Sequence, residues 1–199
     1  AWLGSVTDMR SGQDIYYTLD KVLWKMATVQ LGQSYSIPVS AECGGAMTYR
    51  YDQQNGAEGF AFMWSAVGSK SNVLAGIGSA YDGISMSAEM MIAQVAWLDA
   101  ARYLQRGINT DDLHLGFESI CTAGPGGNYL LDDLTLRFLR SEEFFSHELF
   151  QYAVPERDPR PMLVRAHDKA EEMVAGFQSP LPGNLQEDLR AYFARQYRQ

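Results

Sequence analysis

IPVSAECGGAMTYRYDQQNGAE, residues 37–58, opens as a short apolar run, passes two glycines, and gathers Tyr49, Arg50, Tyr51, Asp52, Gln53, Gln54 and Asn55 just ahead of a helix start at Gly56. The order is strand, polar loop, helix. In α/β proteins the loops that follow strands carry the binding and catalytic groups. A loop this dense in acids, amides and aromatics is therefore the part around which the rest of the chain is read.

Upstream, Ala1 to Ser5 reads as a short strand running into a polar turn that contains Asp8 and Arg10. A helical pattern follows from about Asp14, with Leu19, Val22, Leu23, Met26 and Val29 spaced as a core-facing stripe. Pro38 cannot donate to a ladder and belongs at a strand's first position. Downstream, residues 58–69 form an almost wholly apolar helix and residues 72–79 a strand that ends in Tyr81 and Asp82. Ser87 then caps a helix reaching about Leu104. Strand, loop and helix thus recur three times, which predicts a parallel sheet, either doubly wound or a (β/α)8 barrel. A full barrel needs about 250 residues, so a chain of 199 holds part of one.

Beyond Gly107 the alternation stops. A helix capped by Thr110, a break at Gly124 to Gly127, and a helix over residues 131–150 are expected. The proline-rich run at residues 154–161 reads as an extended linker. Two last helices, residues 161–177 and 184–197, form an arm for the outside of the molecule or for a partner chain, the second opened by a capping pair, Asn184 and Glu187. The expected division is a barrel portion at 1–150, then linker and helical arm at 151–199.

Composition narrows the function. The net charge is −8, 46% of residues are hydrophobic and 12% aromatic, a profile of globular chains. No apolar run reaches the roughly 20 residues of a membrane span, and the first residues lack the pattern of a secretory signal, so a cytoplasmic location is expected. The acidic balance argues against nucleic acid as a partner. Cys43 and Cys121 stand apart without CxxC or His neighbours, and the three histidines all fall in the second half. Neither a nucleophilic triad nor a zinc site is legible, and CGGA and GPGG match no phosphate-binding fingerprint. The chain opens at Ala1, inside a strand-like segment, as a fragment of a longer protein would.

What remains is a set of polar groups at three strand ends: Asp8 and Arg10; Glu42, Asp52, Gln53 and Glu58; Tyr81 and Asp82. Parallel strands would bring them to one rim. Carboxylates beside Tyr49, Tyr51 and Tyr81 suit a cationic ligand, because aromatic faces attract quaternary ammonium. The competing reading is that Asp52 and Asn55 cap a helix and the tyrosines only pack. Spacing leaves both open.

The segments DMRSG (8–12), DQQNGAE (52–58), SAEM (87–90) and GPGGNYL (124–130), followed by Thr135, resemble in that order the C-terminal part of the trimethylamine methyltransferase family. The resemblance covers about residues 5–150. It implies the later strands and helices of a TIM barrel, and transfer of a methyl group from a methylated or quaternary amine to cob(I)alamin, a corrinoid cofactor carried on a separate partner protein. Residues 47–50, where the archaeal trimethylamine enzyme carries pyrrolysine, are ordinary here, which points to the branch that includes glycine betaine methyltransferases. Asn128 and Leu134 stand where histidines are expected. A quaternary amine leaves as a neutral tertiary amine, so the chemistry calls for positioning and electrostatics and for no general acid or protein-bound metal.

On this reading Glu42, Tyr49, Asp52, Gln53, Glu58, Tyr81, Asp8 and Arg10 form the substrate site. Glu42, Asp52 and Tyr81 serve the ammonium, and Arg10 or Arg50 clamps a carboxylate if the substrate is a betaine. The alternative is a barrel remnant, or ligand-binding module, that no longer turns over. A partial barrel exposes strand edges and apolar helix faces, so a homo-oligomer is expected.

Overall fold

The structure is a computed structural model that describes residues 6–139, 141–151 and 158–197. The strand expected at Ala1 to Ser5 lies outside them. The chain starts as a ribbon: β1 (Val6–Thr7) pairs antiparallel with β2 (Asp14–Ile15), Val6 facing Ile15 and Thr7 facing Asp14. α1 (Leu19–Ser34), β3 (Ser40–Glu42), α2 (Gln53–Gly68) and β4 (Val73–Ala75) follow. β3 and β4 are parallel, with Ser40, Ala41 and Glu42 opposite Val73, Leu74 and Ala75. With α2 between them they make one βαβ unit. β5 (Ser79–Ala80) and β6 (Ser85–Met86) form a second antiparallel ribbon ahead of α3 (Ala88–Gln105).

The main core lies between β3 and the helices. Successive side chains of a strand point to opposite faces. Val39, Ala41 and Cys43 therefore face Met63 and Ala66 of α2, Val29 of α1, and Leu98 and Ala101 of α3, while Ser40 and Glu42 take the other face. Register matters here, because a slip of one residue would send Glu42 into the apolar cluster of Met63, Ala66 and Leu98.

Past α3 come three short helices, α4 (Asp112–Leu115), α5 (Phe117–Ala123) and α6 (Asp133–Phe138), and then α7 (Met162–Gly176) and α8 (Gly183–Gln196). α7 packs along α3, where Ala96, Leu149 and Ala166 form a smaller core. Arg165 of α7 donates to the carbonyls of Glu148 and Leu149, at 3.2 and 2.9 Å.

Mixed helices and small sheets confirm an α/β fold. The expected rim of three parallel strands is corrected: among the described residues the sheets are three separate two-stranded pairs, one of them parallel, and no barrel closes. The first helix starts at Leu19, because residues 14–15 pair with β1 instead. Its stripe is corrected as well. Leu19 and Leu23 are exposed, and Lys21, Lys25, Thr28, Val29 and Gly32 face inward. Asp111 caps α4 through the amide of His114, and Gly116, in the left-handed conformation, parts α4 from α5. The helix expected over residues 131–150 contracts to α6, held by Asp132 as its N-cap. α8 begins directly after Pro182, which takes the N-cap position in extended conformation, with no side-chain cap.

Candidate functional site

Glu42 ends β3 at the start of the polar loop. Its carboxylate lies 3.0 Å from Lys25 Nζ and 3.8 Å from Lys21 Nζ, both buried on the inner face of α1. Lys21 Nζ also lies 4.4 Å over the Tyr16 ring. Burial disfavours the charged ammonium and draws the Lys21 pKa down, and Glu42 opposes that shift. Glu42 is thus a structural counter-ion, with two cations on one carboxylate.

The loop then turns on two glycines in crowded positions. A side chain at Gly44 would meet Gln94 Oε1 of α3 and the carbonyl of Gly76. Gly45, at φ +99°, lies against the Tyr17 ring. Tyr17 is buried, and its hydroxyl hydrogen-bonds Ser79 Oγ at 3.2 Å. From Ala46 the loop runs beside the residues after β5: the amide of Tyr81 donates to the Thr48 carbonyl at 3.1 Å, and that of Asp82 to the Ala46 carbonyl at 3.0 Å. Asp82 in turn accepts from the Tyr16 amide. Tyr81 and Asp82 have φ of 48° and 53°. Two adjacent non-glycine residues in the left-handed region are uncommon, and the surrounding structure must impose the conformation.

The far end of the loop is fixed by α2. Asp52 is its N-cap, with Oδ1 accepting from the Asn55 amide at 3.1 Å. Glu58 reaches back to accept from the Met47 amide at 2.9 Å through Oε2, and from Gln54 Nε2 at 2.8 Å through Oε1. Gln53 opens α2 and is exposed.

The result is an aromatic edge. Tyr49 and Tyr81 pack edge to face at 5.5 Å and 83°, and the Arg50 guanidinium lies 5.7 Å over the Tyr49 ring. Tyr49, Tyr51 and Tyr81 are 63%, 42% and 46% exposed. This edge can receive a cation on the aromatic faces and an anion on Arg50.

The structure therefore brings Tyr49, Tyr81 and Arg50 together. Glu58 ties down the same loop at Met47, whereas Asp52 caps α2, Gln53 is exposed and Glu42 is engaged with Lys21 and Lys25. Asp8 and Arg10 sit apart in the turn of the β1–β2 ribbon. Asp8 accepts there from Ser11 Oγ at 2.6 Å and the Arg10 amide at 3.0 Å, contacts that hold its pKa below the ordinary value. Sequence reasoning missed the partners of Glu42, although Lys21, Lys25 and Thr28, four and three residues apart, are a polar stripe on one helical face. It missed Tyr17 too, which carries no local signal.

Concavities also lie elsewhere among the described residues. One of about 500 Å³ is almost wholly apolar, between α2 and α3 beneath Phe145 and Phe150. One of about 380 Å³ lies among α4, α5 and α6, and one of about 220 Å³ beside Arg160 and Arg165. Among the described residues no group of three His, Cys, Asp or Glu side chains is placed to hold a metal ion, and no helix is long and apolar enough to cross a membrane.

Comparison with known proteins places this geometry in context. The model of a family described as trimethylamine methyltransferase matches residues 2–199. A proline betaine:corrinoid methyltransferase of Eubacterium limosum is 29% identical over an alignment of 199 positions that covers 94% of this chain and 40% of that relative. The chain thus spans about two fifths of the relative's length.

Proposed function

Because this chain belongs to the trimethylamine methyltransferase family, we propose that it forms part of an enzyme that takes a methyl group from a betaine-like quaternary amine and delivers it to a corrinoid protein. The observation that carries the reading is the exposed Tyr49–Tyr81 pair beside Arg50. A betaine is a zwitterion, with a quaternary nitrogen and a carboxylate a few bonds apart. Tyrosine faces meet the first and a guanidinium the second. The name of the Eubacterium limosum relative points to the same class of substrate.

The corrinoid, when its carrier protein is docked, supplies the cobalt nucleophile that accepts the methyl group. The residues present fit a docking role, since the aromatic edge is open to solvent and carries no imidazole or thiol. The chain's own work is to orient the nitrogen. Tyr49 and Tyr81 hold the ammonium by electrostatic attraction, without a covalent bond or a proton. Arg50 fixes the other end, and Asp52 adds negative charge at the foot of α2. Glu58 keeps the loop closed while the substrate is seated. Because the departing amine is neutral, no group has to protonate it. We place the βαβ unit of β3, α2 and β4 in a TIM barrel, with other parts of the whole protein supplying the remaining strands and pocket walls. Residues 1–150 would serve as its later portion and residues 151–199 as linker and arm.

A second reading has a specific observation behind it. Glu42, Asp52 and Glu58 are each engaged in holding the fold, which suits a module that binds the amine without turning it over. The deciding experiment follows methyl transfer from a panel of betaines and methylamines to free cob(I)alamin, using the full-length protein. Transfer from a carboxylated quaternary amine, reduced by Arg50→Ala, is the expected result. Binding without any transfer would overturn the enzyme in favour of the module, and transfer only from simple methylamines would overturn the role of Arg50.

A further inference from the structure

α8 stands out because none of its residues is buried. Leu185, Leu189, Tyr192 and Phe193 remain 38–51% exposed, and among the described residues the rings of Tyr192, Phe193 and Tyr197 pack on one another. Leu185, Leu189, Tyr192 and Gln196 follow at steps of four, three and four, the 3.5-residue repeat of a helix that lies along another helix. Phe177 and Leu181, in the connection between α7 and α8, are also exposed.

The charges beside the stripe name the occupant. Asp188 and Arg195 each stand one position before a stripe residue and are seven residues apart, so they share one flank of the helix. Reversing α8 against a copy of itself brings Asp188 beside the partner's Arg195. The twofold axis creates the same pair a second time. A parallel alignment makes no such pair. Opposite charges flanking an apolar seam are how helices select partner and direction.

We propose that α8 pairs antiparallel with α8 of a second copy, through Leu185, Leu189 and Tyr192, with two reciprocal Asp188–Arg195 ion pairs. The surface is independent of the methyl-transfer reading. A 14-residue helix is about 21 Å long, so the seam makes a small interface of the weak, reversible kind.

Sedimentation equilibrium of the purified protein tests this, with far-ultraviolet circular dichroism to confirm that each variant is folded. Leu189→Glu should abolish the α8-dependent association. Arg195→Asp and Asp188→Arg, both on the exposed surface, should each weaken it roughly tenfold or more, because each turns two attractive contacts into repulsive ones. The double variant D188R/R195D restores both pairs and should return to near the original affinity. Three results overturn the proposal: association unaffected by Leu189→Glu, a double variant no better than the singles, and wild-type protein that is monomeric throughout. The second of these would place α8 on a non-identical surface.

Discussion

Tyr49 and Tyr81, from loops on either side of α2, meet edge to face with ring centroids 5.5 Å apart. The edge of one ring supports the other, and both residues keep roughly half or more of their surface exposed, Tyr49 63% and Tyr81 46%. A cation over a tyrosine face gains about 0.5–2 kcal/mol. Tyr49→Leu and Tyr81→Leu should therefore each weaken binding of a quaternary ammonium by roughly two- to thirtyfold. Tyr→Phe at either position should leave it within about threefold, because the ring remains. Titration calorimetry with a trimethylammonium carboxylate measures both. Equal losses in the Leu and Phe variants would count against binding by the ring.

Glu42 should matter first for stability. Glu42→Gln leaves two buried ammonium groups without their carboxylate, a loss of roughly 3–5 kcal/mol when one member of a buried ion pair is removed. Chemical denaturation should show it. The triple variant K21M/K25M/E42Q should recover most of the loss, since methionines fill similar volume without charge. If Glu42→Gln melted like the wild type, the carboxylate would not be the counter-ion described.

The two cysteines should differ sharply. Cys43 is fully buried, and loss of solvent pushes its thiol pKa up to about 11, whereas Cys121 is exposed. Thiolate is the reactive form. At mildly alkaline pH an aromatic disulfide reagent should titrate one thiol per folded chain rapidly and the second only on unfolding. Two fast thiols would contradict the packing around β3.

The seat of α7 on α3 should depend on pH. His167 Nδ1 lies 2.8 Å from Glu89 Oε1, a contact that raises the His167 pKa and lowers that of Glu89. The raised histidine stabilises fully below its unfolded value near 6.5, and this contribution fades as pH climbs through the higher folded value. The lowered carboxylate stabilises above its unfolded value near 4.5, and is lost as pH falls through the lower folded value. The pair should therefore help most between about pH 4.5 and 6.5. Melting of wild type against His167→Gln across this range should show the largest gap there. A gap that widens toward alkaline pH would reverse the assignment.

How much of this could be read from the sequence follows from how local each signal is. The polar loop, the cap at Asp52 and the cap at Ser87 rest on neighbours within a few residues, and all three were legible. The partners of Glu42 lie on another element, and only the tertiary fold brings Lys21 and Lys25 to it. Apolar spacing put Leu19 and Leu23 inside. The helix instead turns Lys21 and Lys25 toward the Glu42 carboxylate and leaves Leu19 and Leu23 exposed, while Val29 of the same stripe does reach the core. The pairing of β1 with β2 was illegible for a related reason: strands of two residues carry no period. Once that ribbon is antiparallel, Asp8 and Arg10 no longer belong beside Glu42. Of the competing reading, the cap is seen, since Asp52 does cap α2, and Tyr49 packs on Tyr81 while both stay open to solvent.

Glu58 has a further meaning for ligand capture. By holding the Met47 amide from the second turn of α2, it closes the intervening residues into a ring anchored at both ends. The backbone entropy of that ring is lost when the chain folds, so for the ligand proposed above the segment before Arg50 would already be ordered. Affinity at such an edge then reflects contact with the tyrosine rings and the guanidinium more than the cost of quieting a loop, which favours small, rigid ligands over those that must reshape the protein to bind.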